Sequence, residues 1–211
     1  GGDPSMNVGL ELAIDRAKNS NMPKDSIERA IKRGTGEDKD GAELEEITYE
    51  GYLGRGTAAI IECVTENRNR TVADLRHLLS KGGGEMASNG SVSWQFDRKA
   101  VYSVKSDGKN FYKAFEAALE AGADDVTEED GYIEIVGTAD TFKAIHESLI
   151  AAKLQIEDAG VRMIPKQEVE LNFDETVSVL KLINAIEEND DVQNVYSNLK
   201  FGDEHVEALD N

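Results

Sequence analysis

Hydrophobic positions recur at helical spacing near the start of the chain and at a spacing of two further on. Leu10 and Ile14 share one face of a predicted helix over residues 8–20. Pro23 interrupts this pattern and suits the first turn of a second helix, which we predict over residues 24–33. Two short helices bury little apolar surface, so we expect this unit to pack on another part of the protein.

The middle of the chain predicts two strand hairpins with a helix between them. The first hairpin pairs residues 45–52 with residues 57–65, and its second strand is apolar on both faces, as is typical of an interior strand. A helix follows over residues 71–81. The second hairpin is predicted to pair residues 91–96 with residues 100–105.

The last part of the chain alternates between short helical and extended patterns. The predicted helices cover residues 111–121, 141–153 and 176–188, and the predicted strands cover residues 124–127, 132–136, 155–164 and 192–197. When residues 108–168 are set aside, the remaining order is that of a split βαβ unit, the ferredoxin-like pattern. This interpretation places residues 57–65, 91–96, 100–105 and 192–197 in one sheet.

The predicted fold class is therefore α+β with three units. The first is a helical N-terminal domain over residues 1–40. The second is a discontinuous, ferredoxin-like α+β domain over residues 41–107 plus 169–211. The third is an inserted second α+β domain over residues 108–168, because a loop between a hairpin and a helix tolerates insertions.

Charge is unevenly distributed along the chain, which carries 23 Lys and Arg, 42 Asp and Glu and a net charge of −19. Residues 1–36 hold 6 basic and 5 acidic side chains, whereas residues 100–175 hold 7 and 17. A phosphate backbone repels acidic surfaces, so we expect an anionic partner to bind the N-terminal half. The acidic inserted domain is expected to point away from it, or to contact a basic protein or the ribosome.

The residue types that carry catalysis or bind metals form no recognisable motif. The three histidines are far apart, and none belongs to a His-Glu-x-x-His pattern. Cys63 alternates with apolar neighbours on a predicted strand, which favours a buried core residue over a nucleophile. We therefore expect no enzyme activity, no metal and no cofactor. One cysteine and the lack of a long apolar run favour a cytoplasmic protein that does not enter membranes.

Basic and amide side chains concentrate on two predicted helices of the N-terminal half. Arg, Lys and Asn are the types that contact phosphate and sugar oxygens. The candidate nucleic-acid-binding residues are Lys24, Arg29, Lys32, Arg33, Arg68, Asn69, Arg70 and Lys81. Arg and Lys on a helix surface often contribute only to solubility, which is the alternative interpretation of these residues. The three glycines after Lys81 suit either a backbone that contacts phosphate or a flexible loop. We expect Arg68 and Arg70 to be replaceable by alanine with little loss of stability.

Five segments are similar to the signatures of one known family. They are residues 21–36, 49–52, 65–74, 81–83 and 90–96. By these segments the chain resembles the YebC-like family, and the resemblance extends along the whole chain in order. It differs at Arg55, which adds a charge to a hairpin turn, and at Gly82, where the family has histidine. The family also has a basic segment ahead of residue 1, so we expect the intact protein to be less acidic.

The resemblance implies a three-domain, non-enzymatic regulator of gene expression. Bacterial members are described as probable transcriptional regulatory proteins that bind DNA, and mitochondrial members as translational activators. Bacterial members are also implicated in relieving ribosomes that stall on proline-rich stretches. Two hypotheses therefore stay open, a DNA-associated regulator and a translation factor that binds ribosomal RNA.

The second helix carries acidic residues where a DNA-recognition helix would contact bases. Asp25 and Glu28 fall in its first turn, where base contacts would be made in that geometry. The start of the predicted 71–81 helix suits a phosphate better than a base edge. We therefore expect recognition of shaped RNA or a ribosomal surface, with weak sequence discrimination on DNA.

Overall fold

The computed structural model describes residues 2–37 and 44–209, and within them the chain forms seven α-helices and eight strands. The helices are α1 (Val8–Asn19), α2 (Lys24–Gly34), α3 (Arg68–Lys81), α4 (Phe111–Glu120), α5 (Phe142–Ala151), α6 (Phe173–Glu187) and α7 (Asp203–Glu207). The strands are β1 (Glu45–Gly54), β2 (Thr57–Thr65), β3 (Glu85–Ala87), β4 (Phe96–Lys105), β5 (Ala123–Glu129), β6 (Tyr132–Thr138), β7 (Ile156–Pro165) and β8 (Val192–Ser197). The chain is an α+β protein, as predicted.

The two N-terminal helices form where the sequence predicts them. The Asn7 side chain accepts a hydrogen bond from the Leu10 N–H at 3.1 Å and so caps α1. Asn21 adopts a φ of 58°, a left-handed conformation that asparagine tolerates, and this turns the chain toward α2. The Arg16 guanidinium binds Asp158 of β7, so α1 does contact another part of the protein.

The first sheet has the order β3-β1-β2-β8, with antiparallel neighbours. Most of β2 is buried on both faces, which confirms that it is an interior strand. The pairing of Ile61 with Val195 confirms that β2 and β8 share a sheet although about 130 residues separate them along the chain. Helices α3 and α6 cover one face, where Leu75 and Leu79 pack with Val179 and Ile183.

The second sheet has the order β5-β6-β4-β7. Helices α4 and α5 supply Ala114, Ala118, Ile145 and Leu149 to its core, all of them fully buried. Small alanines on α4 allow close packing on the helix and sheet below it. The turn between β5 and β6 has Asp130 and Gly131 both at positive φ.

The predicted hairpin of residues 91–96 and 100–105 is wrong. Ser93–Gln95 form a short 3-10 helix, and β4 runs unbroken from Phe96 to Lys105. It pairs with β6 in the second sheet, for example through Ser103 and Glu134, and not with β2. The polar run 97–99 resembles a turn in sequence but is the exposed start of a continuous strand whose later residues alternate in burial.

This correction moves the βαββαβ pattern from one sheet to the other. The chain order β4-α4-β5-β6-α5-β7 and the spatial order β5-β6-β4-β7 form that pattern without interruption. In the first sheet, the strand next to β2 that the prediction formed from residues 100–105 is instead β1, the first strand of the chain. The two sheets therefore have the same spatial arrangement of strands. They differ in chain order, because the strands of the second sheet follow one another along the chain, whereas the first sheet begins with β1 and ends with the distant β8.

The chain divides into two compact units. One contains residues 1–41 and 98–162, and the other contains residues 42–97 and 163–211; we call them unit 1 and unit 2. The three-domain division remains a prediction, and its first boundary, at residues 40 and 41, lies outside the described residues. After Phe201 the chain forms helix α7, in which His205 stacks on Phe173 with ring centroids 5.0 Å apart.

Candidate nucleic-acid interface

Helix α2 of unit 1 carries four of the candidate residues on an exposed surface. Its one buried residue is Ile27, so the polar side chains around it face solvent. The ammonium of Lys24 lies 3.6 Å from the Glu28 carboxylate one turn on. The Arg29 guanidinium donates to the Asp25 carbonyl oxygen at 3.2 Å and to Ser26 Oγ at 3.4 Å. Arg29 is thus engaged by its own helix, whereas Lys24 is largely exposed in a surface ion pair.

The last turn of α2 places Lys32 and Arg33 together. Both side chains are at least partly exposed, and their charges favour the negative end of the helix dipole. Thr35 Oγ1 donates to the Lys32 carbonyl oxygen at 3.2 Å, which caps this end. These two cations therefore lie in the same turn at the C-terminal end of α2.

The start of α3 in unit 2 presents Arg68 and Asn69 to solvent. Asn67 caps the helix, because its side-chain oxygen accepts a hydrogen bond from the Arg70 N–H at 3.1 Å. The Arg68 guanidinium lies 3.8 Å from the Glu45 carboxylate, an exposed pair that contributes little to stability. Both side chains therefore remain accessible to a partner.

Arg70 has a structural role that sequence reasoning missed. Its Nη2 donates to both carboxylate oxygens of the buried Asp191, at 2.9 and 3.0 Å. Thr71 Oγ1 donates to the same carboxylate at 2.7 Å. Burial raises the pKa of Asp191, but the hydrogen bonds from Thr71 and Arg70 outweigh it and hold that pKa below the ordinary value. The expectation that Arg70 can be replaced at little cost to stability is therefore withdrawn.

Lys81 lies at the opposite end of α3 from the other candidates. The helix has 14 residues, so its ends are about 20 Å apart at 1.5 Å per residue. Lys81 is exposed and has no ion-pair partner among the residues that the structure describes. The fold therefore brings Arg68, Asn69 and Arg70 together in one turn and leaves Lys81 apart from them.

The glycines that follow Lys81 are explained by packing. A Cβ at Gly82 would lie 2.5 Å from Leu182 Cδ1, and a Cβ at Gly84 would overlap the carbonyl oxygen of Tyr52. Gly83 has a φ of 83° and open space around it, as expected for a residue that ends a helix. Close packing thus accounts for Gly82 and Gly84, which is a different explanation from both the phosphate-contacting backbone and the flexible loop that the sequence left open.

A loop with an exposed tryptophan is a feature that sequence reasoning did not assign to the site. Trp94 is 67% exposed, and its indole N–H donates to the Ser91 carbonyl oxygen at 2.9 Å. The buried Glu50 carboxylate accepts backbone N–H bonds from Gly90, Val92 and Ser93 at 2.7 to 3.1 Å. The signal available in the sequence was a lone tryptophan in a loop rich in glycine and serine.

The chain's one cysteine lies in the core of unit 2. Cys63 is buried, and burial with the nearby Asp191 charge raises the pKa of its thiol to about 11, so it is a core residue as predicted. Across residues 2–37 and 44–209, no group of three His, Cys, Asp or Glu side chains is placed to hold a metal ion.

A membrane-spanning helix is also not found in the part of the chain that the structure describes. The fold and the site define a mixed α+β protein with exposed basic side chains at the ends of short helices. Comparisons with known proteins give its family. Residues 1–37 match the model of the TACO1/YebC protein N-terminal domain, and residues 44–199 match the model of the TACO1/YebC second and third domain. The chain belongs to the TACO1/YebC family.

Similar proteins cover nearly all of this chain. A probable transcriptional regulatory protein of Fusobacterium nucleatum is 47% identical over 211 residues, which span 100% of this chain and 84% of that protein. One from Geobacter sulfurreducens is 47% identical over 209 residues, or 99% of this chain and 84% of its own length. The crystal structure of a conserved hypothetical protein from Aquifex aeolicus matches with a TM-score of 0.84 and 36% identity, covering 96% of this chain and 84% of that one.

Proposed function

We propose that this protein is a non-enzymatic, cytoplasmic regulator of gene expression that acts by binding nucleic acid. One observation carries the proposal: the side chains of Lys32, Arg68, Asn69 and Lys81 are exposed in the described part of the chain. The names of the relatives, which are probable transcriptional regulatory proteins, support the same class. The protein neutralises phosphate charge with these residues and positions the strand without reading its sequence.

A second candidate function, a translation factor that binds ribosomal RNA, is favoured by the contacts of α2. A DNA-recognition helix uses its first turn to reach base edges. Here Lys24 pairs with Glu28, and Arg29 binds the backbone and Ser26 of its own helix. These contacts support recognition of shape and phosphate over recognition of a DNA sequence.

The first experiment tests whether the exposed residues bind nucleic acid at all. The variant combines Lys32→Gln, Arg68→Gln and Lys81→Gln, and the full chain is titrated with fluorescein-labelled RNA and duplex DNA at several salt concentrations. We expect the slope of log K against log salt to fall by about 0.7–0.9 for each phosphate that the variant no longer neutralises. The matched control removes three lysines that pair with nearby carboxylates, Lys18, Lys143 and Lys200. Equal binding by both variants and the wild type would remove these residues from the site.

A second experiment separates the two candidate functions. Competition with unrelated DNA at about physiological salt measures sequence specificity, and co-sedimentation with ribosomes measures the alternative. We expect a specific-to-nonspecific ratio well below about 10³ together with ribosome binding. A ratio of about 10³ or more without ribosome binding would assign the protein to sequence-specific DNA regulation.

A further inference from the structure

Four lysines gather at one cleft of unit 1, within the most acidic part of the sequence. The cleft has a volume of about 520 Å³ and is lined by Lys105, Lys109, Lys113 and Lys153. We call these four residues the lysine cluster. They are four of the 7 basic side chains of residues 100–175, a segment that also holds 17 acidic ones. The sequence therefore concentrates scarce positive charge at one place.

The fold joins three separate segments to build the lysine cluster. Lys105 ends β4, and its backbone N–H donates to the Gln155 carbonyl oxygen at 3.0 Å, next to the segment that carries Lys153. Asn110 Nδ2 donates to the Lys105 carbonyl oxygen at 2.9 Å and so fixes the start of α4, which carries Lys113. These contacts hold the backbones in place while the four ammonium groups remain exposed.

No carboxylate in the described part of the chain forms an ion pair with any of these four lysines. Elsewhere in unit 1, Lys and Arg side chains do pair with carboxylates, as Lys18, Lys99, Lys143 and Arg162 show. One acidic residue, Asp107, lines the cleft. Its Oδ1 already accepts the N–H groups of Lys109 and Asn110, both at 2.8 Å. Four like charges at one site repel each other, and an external anion would relieve that repulsion.

We propose that the lysine cluster binds the phosphate backbone of a nucleic acid strand. This inference rests on the proposed function. It adds a contact surface that takes three of its four lysines from residues 108–168, the acidic inserted domain that was expected to point away from nucleic acid.

The chemistry of the cleft favours this occupant over an acidic protein. Lysine is depleted in protein–protein interfaces, which depend on aromatic and apolar anchors, and the apolar residue lining this cleft, Leu154, is buried. Lysine acts as a flexible point charge, whereas bidentate recognition of a single carboxylate or phosphate uses arginine. Exposed lysines without an aromatic neighbour in the cleft match contacts to successive phosphates that do not depend on base sequence.

Salt-dependent binding by the full chain tests the proposal. The cluster variant combines Lys105→Gln, Lys109→Gln, Lys113→Gln and Lys153→Gln. The matched control also removes four charges but takes them from paired lysines, through Lys18→Gln, Lys143→Gln, Lys166→Gln and Lys200→Gln. The probe is a labelled single-stranded RNA of about 20 nucleotides, longer than the site of one binding module. We expect the cluster variant to bind about 10-fold or more weakly, with a salt slope lower by up to about 3, and the control to resemble the wild type.

The possible outcomes separate this inference from the proposed function. If the wild type binds RNA and the cluster variant binds equally well, the proposal that the lysine cluster binds RNA is wrong and the proposed function stands. If the cluster variant and the control lose the same affinity, binding depends on net charge alone, and the proposal for the lysine cluster is again wrong. If the wild type binds neither RNA nor DNA, the proposed function fails and this inference with it.

Two further measurements identify the anion and guard against misfolding. Inorganic phosphate at millimolar concentration is compared with potassium chloride at equal ionic strength as a competitor, and we expect no additional displacement of RNA. Displacement specific to phosphate would identify a free phosphate as the occupant and overturn the backbone proposal. Acetylation of the wild-type chain, read by mass spectrometry, should show the four cluster lysines protected by RNA and Lys143 unprotected. Equal protection of all lysines would contradict the proposal.

Discussion

The start of α3 and the lysine cluster are both basic, yet they use their charge differently. At α3, Arg70 and Thr71 bind the buried Asp191, and Gly82 and Gly84 beyond the other end are required by close packing. At the cluster, the four ammonium groups have no intramolecular carboxylate partner in the described residues. The comparison shows that a basic sequence motif can be occupied by folding contacts, whereas an acidic segment can present unpaired positive charge.

The net charge of a sequence segment does not predict whether its basic side chains are paired or unpaired in the folded protein. The count over residues 100–175 is strongly negative, and it averages charges that the fold places on different surfaces. Interactions between exposed charges are screened beyond about 10 Å at 0.1 M salt. A partner therefore responds to the local cluster of side chains and not to the sum over the domain.

The largest effect on stability is expected from removing Asp191, the carboxylate that Arg70 and Thr71 of α3 bind. Asp191→Ala removes the acceptor for Arg70 and Thr71, and hydrogen bonds to a charged group contribute about 1.5–3 kcal/mol. We expect the free energy of unfolding to fall by about 3 kcal/mol. Urea denaturation followed by circular dichroism measures it, with the exposed neighbour Asp190→Ala as the control. A loss no greater than that of the control would show that the buried ion pair does not stabilise unit 2.

Substitutions at Gly82, Gly83 and Gly84 test whether close packing requires glycine after the end of α3. Gly84→Ala places a methyl group against the Tyr52 carbonyl oxygen, and overpacking of this kind costs about 1–3 kcal/mol. Gly82→Ala meets the buried Leu182 side chain, which can shift more readily than the Tyr52 backbone, and should cost less. Gly83→Ala meets no atom within 4 Å, and its positive φ should cost about 1 kcal/mol. Equal melting temperatures for the wild type and Gly84→Ala would contradict the packing explanation.

The dependence of stability on pH separates buried carboxylates from exposed ones. Burial raises the pKa of Glu50, but the N–H groups of Val92, Gly90 and Ser93 outweigh it and lower that pKa, and the pKa of Asp191 is also lowered. The folded state therefore binds these protons less readily than the unfolded state. The stabilisation is present above the unfolded pKa values of about 4 and is lost as pH falls through the folded values.

Two variants measure this stabilisation directly. Glu50→Gln and Asp191→Asn should each be less stable than the wild type at neutral pH, and the difference should shrink below about pH 4. Glu46→Gln alters an exposed side chain and is the control, expected to follow the wild type at every pH. A constant difference from about pH 7 to about pH 3 would show that the two carboxylates act through packing and not through charge.

The smallest effect on stability is expected at the lysine cluster and at the exposed candidates. Each single change among Lys105→Gln, Lys113→Gln, Arg68→Gln and Lys81→Gln should alter the free energy of unfolding by no more than about 0.5 kcal/mol. Thermal melts of the single variants measure this. A loss above about 1 kcal/mol at Lys105 or Lys113 would mean that the cluster is used in folding, which would remove its contrast with Arg70.

Several elements could be predicted because their signal is local. Periodicity and helix-end residues located the helices, and the apolar run of β2 indicated an interior strand, since hydrogen bonding and burial along one segment depend mainly on that segment. The placement of β2 and β8 in one sheet was also predicted, from the order of elements alone. The motifs that matched the family likewise lie in continuous stretches of sequence.

What the tertiary structure decided were relations between distant residues. Whether β4 joins one sheet or the other depends on which strand edge is free, and the polar run 97–99 does not encode that choice. Asp191 is separated from Arg70 by 121 residues, so their pairing cannot be inferred from the spacing of charges. The lysine cluster likewise joins the end of β4, the start of α4 and the loop after α5. The sequence by itself determined most of the elements and the family. Only folding determined which charges are paired, because pairing depends on distances that the chain order does not contain.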